Sequence, residues 1–246
     1  MNTTCGRDNP RLNLLLFTAA DRLGGGRIRL AGQRLRHLLQ VLGATVGDEL
    51  RVGELGGLTG TGRVLEIDSE QAVLAIELDS APPPKLPLRL VLALPRPKML
   101  RRIVRTVAEL GVAELHLIHS YRVEKSYWQT PALQADTLRD YLVQGLEQSR
   151  DTALPQLQCH RRFKPFVEDV LPGLAEGRRA LLAHPGDYPP CPRDLQQETL
   201  LVIGPEGGFI PYEVGKLEAA GCQAVSLGPR ILRVENALST LLGRLF

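Results

Sequence analysis

The 246-residue sequence predicts an α/β protein in two parts: a small β-rich unit over residues 1–80, then a mainly parallel sheet with helices on both faces over residues 88–246. Three observations lead there. After residue 88, short apolar runs alternate with helical periodicity, the pattern of strands joined by crossover helices. Before residue 80, partly alternating runs are punctuated by glycine turns. Between the two lies Ala81-Pro82-Pro83-Pro84-Lys85. Prolines there continue neither strand nor helix and favour a stiff extended linker, expected over residues 81–87.

In the first part, residues 27–30 (RIRL), 49–52 (ELRV), 62–67 (GRVLEI) and 72–78 (AVLAIEL) are expected strands. Leu35, Leu38, Leu39 and Leu42 recur at helical spacing and predict a helix over 33–42. A compact β-barrel fits this pattern. In the second part, strands at 88–94 and 115–119 flank a helix at 98–110. Its Ile103, Val107 and Leu110 share a face, and Gly111 closes it. A long helix follows at 132–148, with Leu138, Leu142 and Leu146 inward. Strands at 180–183 and 200–203, a helix at 211–220 opened by Pro211, a strand at 224–227 and a helix at 234–245 complete the order.

Hydrophobic residues make up 43% of the chain, enough for a core, and aromatics only 4%, so that core is aliphatic. Cys5, Cys159, Cys191 and Cys222 are too far apart for a CxxC metal site and outline no disulfide framework. That usage suits a reduced, cytoplasmic protein without a metal. No apolar run approaches the roughly 20 residues that span a bilayer. The N-terminal apolar run is too short for a signal sequence.

Net charge is +3 and unevenly spread: residues 85–128 carry nine Lys/Arg against three Asp/Glu. Such a local cationic surface suits RNA phosphate, the alternative being a solvated arginine-rich helix face. Arg96, Lys98, Arg101, Arg102 and Arg105 fall at the start and on the exposed face of the first helix of the second part. Arg122 and Lys125 follow its second strand. These seven are the candidate RNA-binding residues. Tyr121, Tyr127 and Trp128 interleave with them, to stack on splayed bases or, for Trp128, to pack in a core or interface.

The chemistry concentrates in residues 200–237. The run LLVI enters Gly204-Pro205-Glu206-Gly207-Gly208, and a second run, AVSLG, precedes Pro229-Arg230-Ile231-Leu232-Arg233. Ligands of open α/β sheets sit at the carboxyl ends of strands, and glycine there lets backbone approach them closely. The succession IGPEGGF at 203–209, Glu213, Leu227-Gly228, RILR at 230–233, Glu235 and Ala237 resembles the SPOUT class of RNA methyltransferases. More narrowly, it resembles the family that methylates N3 of a uridine in 16S ribosomal RNA. HLLQVLGATVGDELRVG at 37–53 is similar to that family's H-L-x-x-V-L…G-D motif, with His37 either an RNA contact or a half-buried helix residue. Glu147-Gln148-Ser149-Arg150 matches another family motif, whose role is capping, interface or substrate contact.

The resemblance implies S-adenosyl-L-methionine as cofactor, a trefoil-knotted C-terminal sheet, a PUA-like RNA-binding barrel at the N-terminus, and a homodimer with its pocket near the subunit interface. The RNA partner is then the small ribosomal subunit or its assembly intermediate. Ile203, Leu227, Ile231 and Leu232 are expected to line an adenine slot, with backbone at Gly204, Gly207, Gly208 and Gly228 close to the ligand. Pro205 and Ala237 belong to the same cofactor motifs. His184 either sits beside the cofactor or simply closes its strand. A sulfonium makes its methyl electrophilic, so no metal is required. Uridine N3 carries a proton and is a poor nucleophile until that proton leaves. Arg233 is the candidate stabiliser of the uridine anion, because a fixed cation lowers the acceptor's pKa. Glu206 or Glu235 is either the base or a carboxylate that orients Arg233. N3 lies on the Watson–Crick edge, so the base must be unpaired or extruded.

Two departures stand out. The family usually reads ILR-T-E-T-A, whereas Arg233-Val234-Glu235-Asn236-Ala237 lacks both threonines. The family also favours a lysine in the helix before ELGV, for which Arg105 is one substitute, at a different helical angle. A paralogue with another RNA target, and a non-catalytic RNA-binding or ribosome-assembly protein, therefore remain alternatives; only the latter forgoes the cofactor. A P-loop module is disfavoured, because GPEGG lacks the lysine and hydroxyl and no GxGxxG spacing occurs.

Overall fold

Alternating arginine and aliphatic residues in RIRL bury Ile28 and Leu30 and leave Arg27 and Arg29 in solvent, as one face of a half-buried strand requires. A computed structural model describes residues 13–246, so Cys5 lies outside the described residues. The chain forms two units: residues up to Pro83 with Leu146–Ala153, and Pro84–Gly145 with Leu154–Phe246.

In the first unit, β1 (Leu15–Phe17), β2 (Arg22–Gly24), β3 (Arg27–Leu30), β4 (Glu49–Glu54), β5 (Thr59–Ile67) and β6 (Ala72–Ser80) form one sheet in the order β1-β4-β5-β6-β3-β2. Only β1 and β4 run parallel. For the compact β-barrel expected here, the ladder among the described residues has β1 and β2 at its two ends. Phe17, Ile28, Leu30, Leu50, Val52, Val64 and Leu74 make the core. Gly60 permits the close crossing of β5 and β6: a Cβ there would sit 1.9 Å from the Glu77 carbonyl oxygen.

Helix α1 (Gly32–His37) runs into a π turn, Leu38–Leu42. Leu35 and Leu38 are buried, but Leu39 is exposed. The wider turn breaks the α-helical phase that placed Leu39 inward. Strands β1 and β2 were not expected; each has three residues, too few to display a period. The segment 146–153 is tied in by backbone: Leu14 N–H donates to the Glu147 carbonyl (2.9 Å) and Gly56 N–H to the Thr152 carbonyl (2.8 Å). Burial of the Glu147 carboxyl raises its pKa. Of the EQSR motif, this is the role the fold displays: a packing one.

In the second unit, β7 (Leu86–Ala93), β8 (Val112–Ile118), β9 (Gln156–His160), β10 (Arg179–Ala183), β11 (Thr199–Ile203) and β12 (Gln223–Val225) build a wholly parallel sheet in the order β12-β10-β11-β7-β8-β9. All five residues of β11 are buried, as an inner strand of a covered parallel sheet demands. β7 begins inside the stretch expected as linker, because Leu86 already pairs with Val112. No apolar run marks strand β9, because QLQCH is polar and lies at a sheet edge.

The helices are α2 (Pro97–Glu109), α3 (Ala135–Ser149), α4 (Phe163–Pro165), α5 (Leu171–Ala175), α6 (Pro211–Ala219) and α7 (Val234–Leu245). α2 buries Leu100, Ile103, Val104, Val107 and Ala108 and ends with Gly111 at φ 73° just beyond its cap. α3 packs closely on α2 at Gly145, where a Cβ would stand 2.4 Å from the Arg105 carbonyl oxygen. No described helix is long and apolar enough to cross a membrane.

A polar ladder crosses the β7–β8–β9 edge. Arg89 Nε lies 2.7 Å from Glu114 Oε2, Glu114 Oε1 lies 2.9 Å from His116 Nε2, and His116 Nδ1 lies 2.9 Å from His160 Nε2. His116 is 1% exposed. Burial lowers the pKa of both histidines, against the opposing carboxylate at His116 and with a further push from His116 at His160. A histidine with a depressed folded pKa binds protons better unfolded, so its stabilising neutrality is lost as pH falls through the ordinary value near 6.5. Denaturant unfolding followed from pH 8 to pH 5 should therefore give a falling stability below about pH 6.5. His160→Asn should flatten that slope; an unchanged slope would place the titration elsewhere.

Candidate active site

Three strand ends converge on one cavity. The walls are Ala183-His184-Pro185 after β10, Ile203 to Glu206 with Gly208 after β11, and Val225 to Gly228 with Arg230, Ile231 and Leu232 after β12. Val234, Ala237 and Leu241 of α7 close it. β11 and β12 end beside β10, whose His184 N–H donates to the Val225 carbonyl (3.0 Å). The lining is aliphatic, with backbone polar groups at the glycine turns. That combination suits a flat heterocycle with a polar edge.

Every residue expected to bind the cofactor lines this cavity except Gly207. The Gly207 carbonyl instead accepts a hydrogen bond from the Arg122 guanidinium. A Cβ at Gly207 would lie 2.9 Å from Arg122 Cδ, which gives that glycine a packing reason rather than a ligand one. Gly208 N–H closes the turn on the Pro205 carbonyl (2.7 Å), with φ at 73°. Burial, and secondly the Arg122 charge, lower the pKa of His184. The His184 ring lies against Gly208, where a Cβ would stand 3.7 Å from Cε1.

The three candidate catalytic residues are not brought together there. Glu206 lines the cavity, and its Oε1 accepts from the Arg96 N–H at 3.3 Å and faces Arg96 Nε at 3.9 Å. Arg233 is an exposed N-cap of α7, and Glu235 lies in that helix's first turn; neither lines the cavity. Arg230 does line it, though it was unassigned within its motif. Ser226 was missed altogether; its hydroxyl accepts from the Gly228 N–H (3.1 Å) and shapes the second turn.

Loops after β8 and β11 are laced together. Glu213, at 2% exposure, accepts from Tyr121 N–H (2.7 Å) and from Ile210 N–H (3.1 Å). The second bond satisfies a free donor at the start of α6. Arg122 adds its bond to Gly207. Arg96 and Arg122, expected on RNA, thus serve first as posts for the GPEGG turn.

The other cations form a surface. Lys98, Arg101, Arg102 and Arg105 line a groove along α2 with Thr106 and Glu109. Arg101 bonds Gln144 Oε1 (3.2 Å) and lies over the Tyr141 ring. Arg105 Nε is buried without a hydrogen-bond partner among the described residues. Lys125 opens a short 3-10 turn. Trp128 is buried, donates to His119 Nδ1 (3.0 Å) and lies under the Arg161 guanidinium, so of its two expected roles the fold displays packing. Tyr121 is 76% exposed.

A parallel α/β sheet with a ligand cavity at its strand ends and a cationic helix beside it has the make-up of an enzyme that works on nucleic acid. A model of the RNA methyltransferase domain matches residues 82–245, and the chain belongs to that family. The curated Ribosomal RNA small subunit methyltransferase E of Treponema pallidum is 28% identical over 235 residues, covering 92% of this chain and 87% of the relative. The enzyme of that name from Synechocystis is 28% identical over 245 residues, covering 94% and 76%. Among solved structures, a Ribosomal RNA small subunit methyltransferase E from Neisseria gonorrhoeae bound to S-adenosyl methionine superposes with TM-score 0.73 at 20% identity, covering 94% of this chain and 96% of that one. These structural likenesses establish the fold.

Proposed function

We propose that this protein uses S-adenosyl-L-methionine to methylate N3 of a uridine in 16S ribosomal RNA of the small subunit. The observation that carries the proposal is the cavity at the ends of β10, β11 and β12, where the residues of both glycine motifs meet. Ile203, Leu227, Ile231 and Leu232 supply an apolar slot, and backbone at Gly204, Gly208 and Gly228 can meet the polar edge of adenine. The cofactor supplies an electrophilic methyl on a sulfonium centre. The chain's share is positioning, which can carry a large part of the barrier reduction.

Removing the N3 proton requires stabilisation of a uridine anion. Arg230 stands at the cavity wall and Arg233 at the start of the covering helix, and either cation favours the anion. Glu206 is held by Arg96 and faces the cavity, so it is the better placed of the two carboxylates to accept a proton. The α2 groove grips phosphate. The relatives' names support the ribosomal target. The first unit acts as a PUA-like RNA-binding module, the C-terminal segment forms a trefoil knot, and the protein works in the cytoplasm as a homodimer without a metal.

Purified protein with the cofactor and undermodified small subunits should produce a new, cofactor-dependent primer-extension stop at one uridine, since a methyl on N3 blocks pairing. Methyl label in RNA without a stop would keep the methyltransferase and remove the N3 assignment. No label, with no cofactor affinity, would favour a non-catalytic RNA-binding role.

A further inference from the structure

The loop after β12 lines two cavities. Pro185, Ser226, Leu227, Gly228, Arg230 and Ile231 belong both to the cavity described above and to a second one. The second is larger, with about 910 Å³ of space, inside the range of about 300–1,000 Å³ typical for small-ligand sites. Its own residues include Asp187, Tyr188 and Arg244. Neither glycine motif accounts for them, and the function above uses none of them.

We propose that this second cavity receives the acceptor nucleotide of the RNA, with its base against Tyr188 and its phosphate between Arg230 and Arg244. The proposal rests on the methyl-transfer function of the first cavity.

Four features point there. The acceptor must lie beside the methyl group, and the six residues that line both cavities set the second directly against the cofactor cavity. Tyr188 is anchored rather than loose: its ring meets the His184 ring edge-on at 5.8 Å and packs against Gly186, where a Cβ would stand 2.9 Å from Tyr188 Cε2. An aromatic face held beside the reaction centre is a platform for an unstacked base. The charge fits a nucleotide: Arg230 and Arg244 outweigh Asp187, leaving a net cation for one phosphate. Arg244 is itself fixed, its Nε donating to the Cys191 carbonyl (2.7 Å). Finally, Ile231 is 83% exposed at the wall shared by both cavities. A flipped base would bury it.

The α2 groove differs from this cavity in kind. It offers four cations along one helix and is suited to backbone phosphates. Together the two sites separate phosphate grip from base capture.

Two measurements test the assignment. With wild-type protein, Tyr188→Ala and Tyr188→Phe, the cofactor Kd and the KM for undermodified small subunits are determined separately. Tyr188→Ala should raise the RNA KM about tenfold, the scale of one lost base–aromatic stack, and leave the cofactor Kd within about twofold. Tyr188→Phe should restore the RNA KM, since stacking needs only the ring. An unchanged KM, or a cofactor Kd weakened by the same factor, overturns the proposal. In parallel, a benzophenone amino acid at position 188 of the full chain is irradiated on the subunit. The cross-link should fall on the methylated nucleotide or its immediate neighbour, and a cross-link elsewhere, or none, overturns it. Because the methylated nucleotide is mapped independently, a methyl on a different base would end the N3-uridine assignment while leaving this site in place.

Discussion

Replacing Glu213 with alanine should lower stability by about 3 kcal/mol and disable methyl transfer in the protein that remains folded. The carboxylate is 2% exposed and accepts two backbone hydrogen bonds, from Tyr121 and Ile210. Alanine has no acceptor, so two N–H groups in part-buried hydrogen bonds lose a buried partner, at about 1–3 kcal/mol each. The effect reaches function because those donors lie on two different segments. Tyr121 is followed by Arg122, which holds the Gly207 carbonyl, and Ile210 lies two residues beyond Gly208 of the glycine turn. Without Glu213 the turn keeps Arg122 but loses its lower tie. Glu213→Gln keeps one acceptor oxygen and should fall between alanine and wild type. Urea unfolding midpoints measure the stability, and a midpoint for Glu213→Ala equal to wild type would mean that water replaces the carboxylate at no cost.

Gly208→Val should weaken S-adenosyl-L-methionine binding by at least about tenfold while the protein still unfolds cooperatively near the wild-type midpoint. The residue has φ 73°, a conformation that costs a β-branched side chain of the order of 1–2 kcal/mol before any contact is counted. Its Cβ would point toward the His184 ring, 3.7 Å from Cε1, inside the cavity. The positive φ, rather than that ordinary contact, strains the turn, and the backbone at the cavity wall shifts with it. Gly207→Ala is the matched contrast. Its φ is not in the left-handed region, and the obstacle is the flexible stem of Arg122 at 2.9 Å. That variant should lose several-fold less affinity. Calorimetric titration with the cofactor compares them. Equal losses would mean that the turn is held by Arg122 alone and not by the conformation of Gly208.

Both predictions depend on bonds that join distant parts of the chain. Arg122 and Gly207 are 85 residues apart, and Arg96 and Glu206 are 110 apart. From the sequence, Arg96 and Arg122 are two cations in a basic stretch, with RNA phosphate their evident partner. In the fold they have nearer acceptors. Arg233 illustrates the converse: it stands in the motif beside the cavity-lining Ile231 and Leu232, yet takes the exposed N-cap position of α7, while Arg230 lines the cavity.

What the sequence by itself determined is whatever a local pattern encodes. The unbroken apolar run of β11, the glycine turn that ends it, the bounds of α7 at Val234–Leu245 and the inward leucines of α3 all follow from neighbours within a few residues. Ten of the eleven residues expected at the cofactor also line the cavity, because most of them cluster in two short motifs. Only the tertiary structure decided the rest: that the polar run QLQCH adds an edge strand, that residues 146–153 join the first unit, and that Gly207 turns to Arg122 rather than to a ligand. Those outcomes depend on which segments meet across the fold. A side chain's partner is then chosen by geometry and burial among residues a hundred positions away, which no local period records.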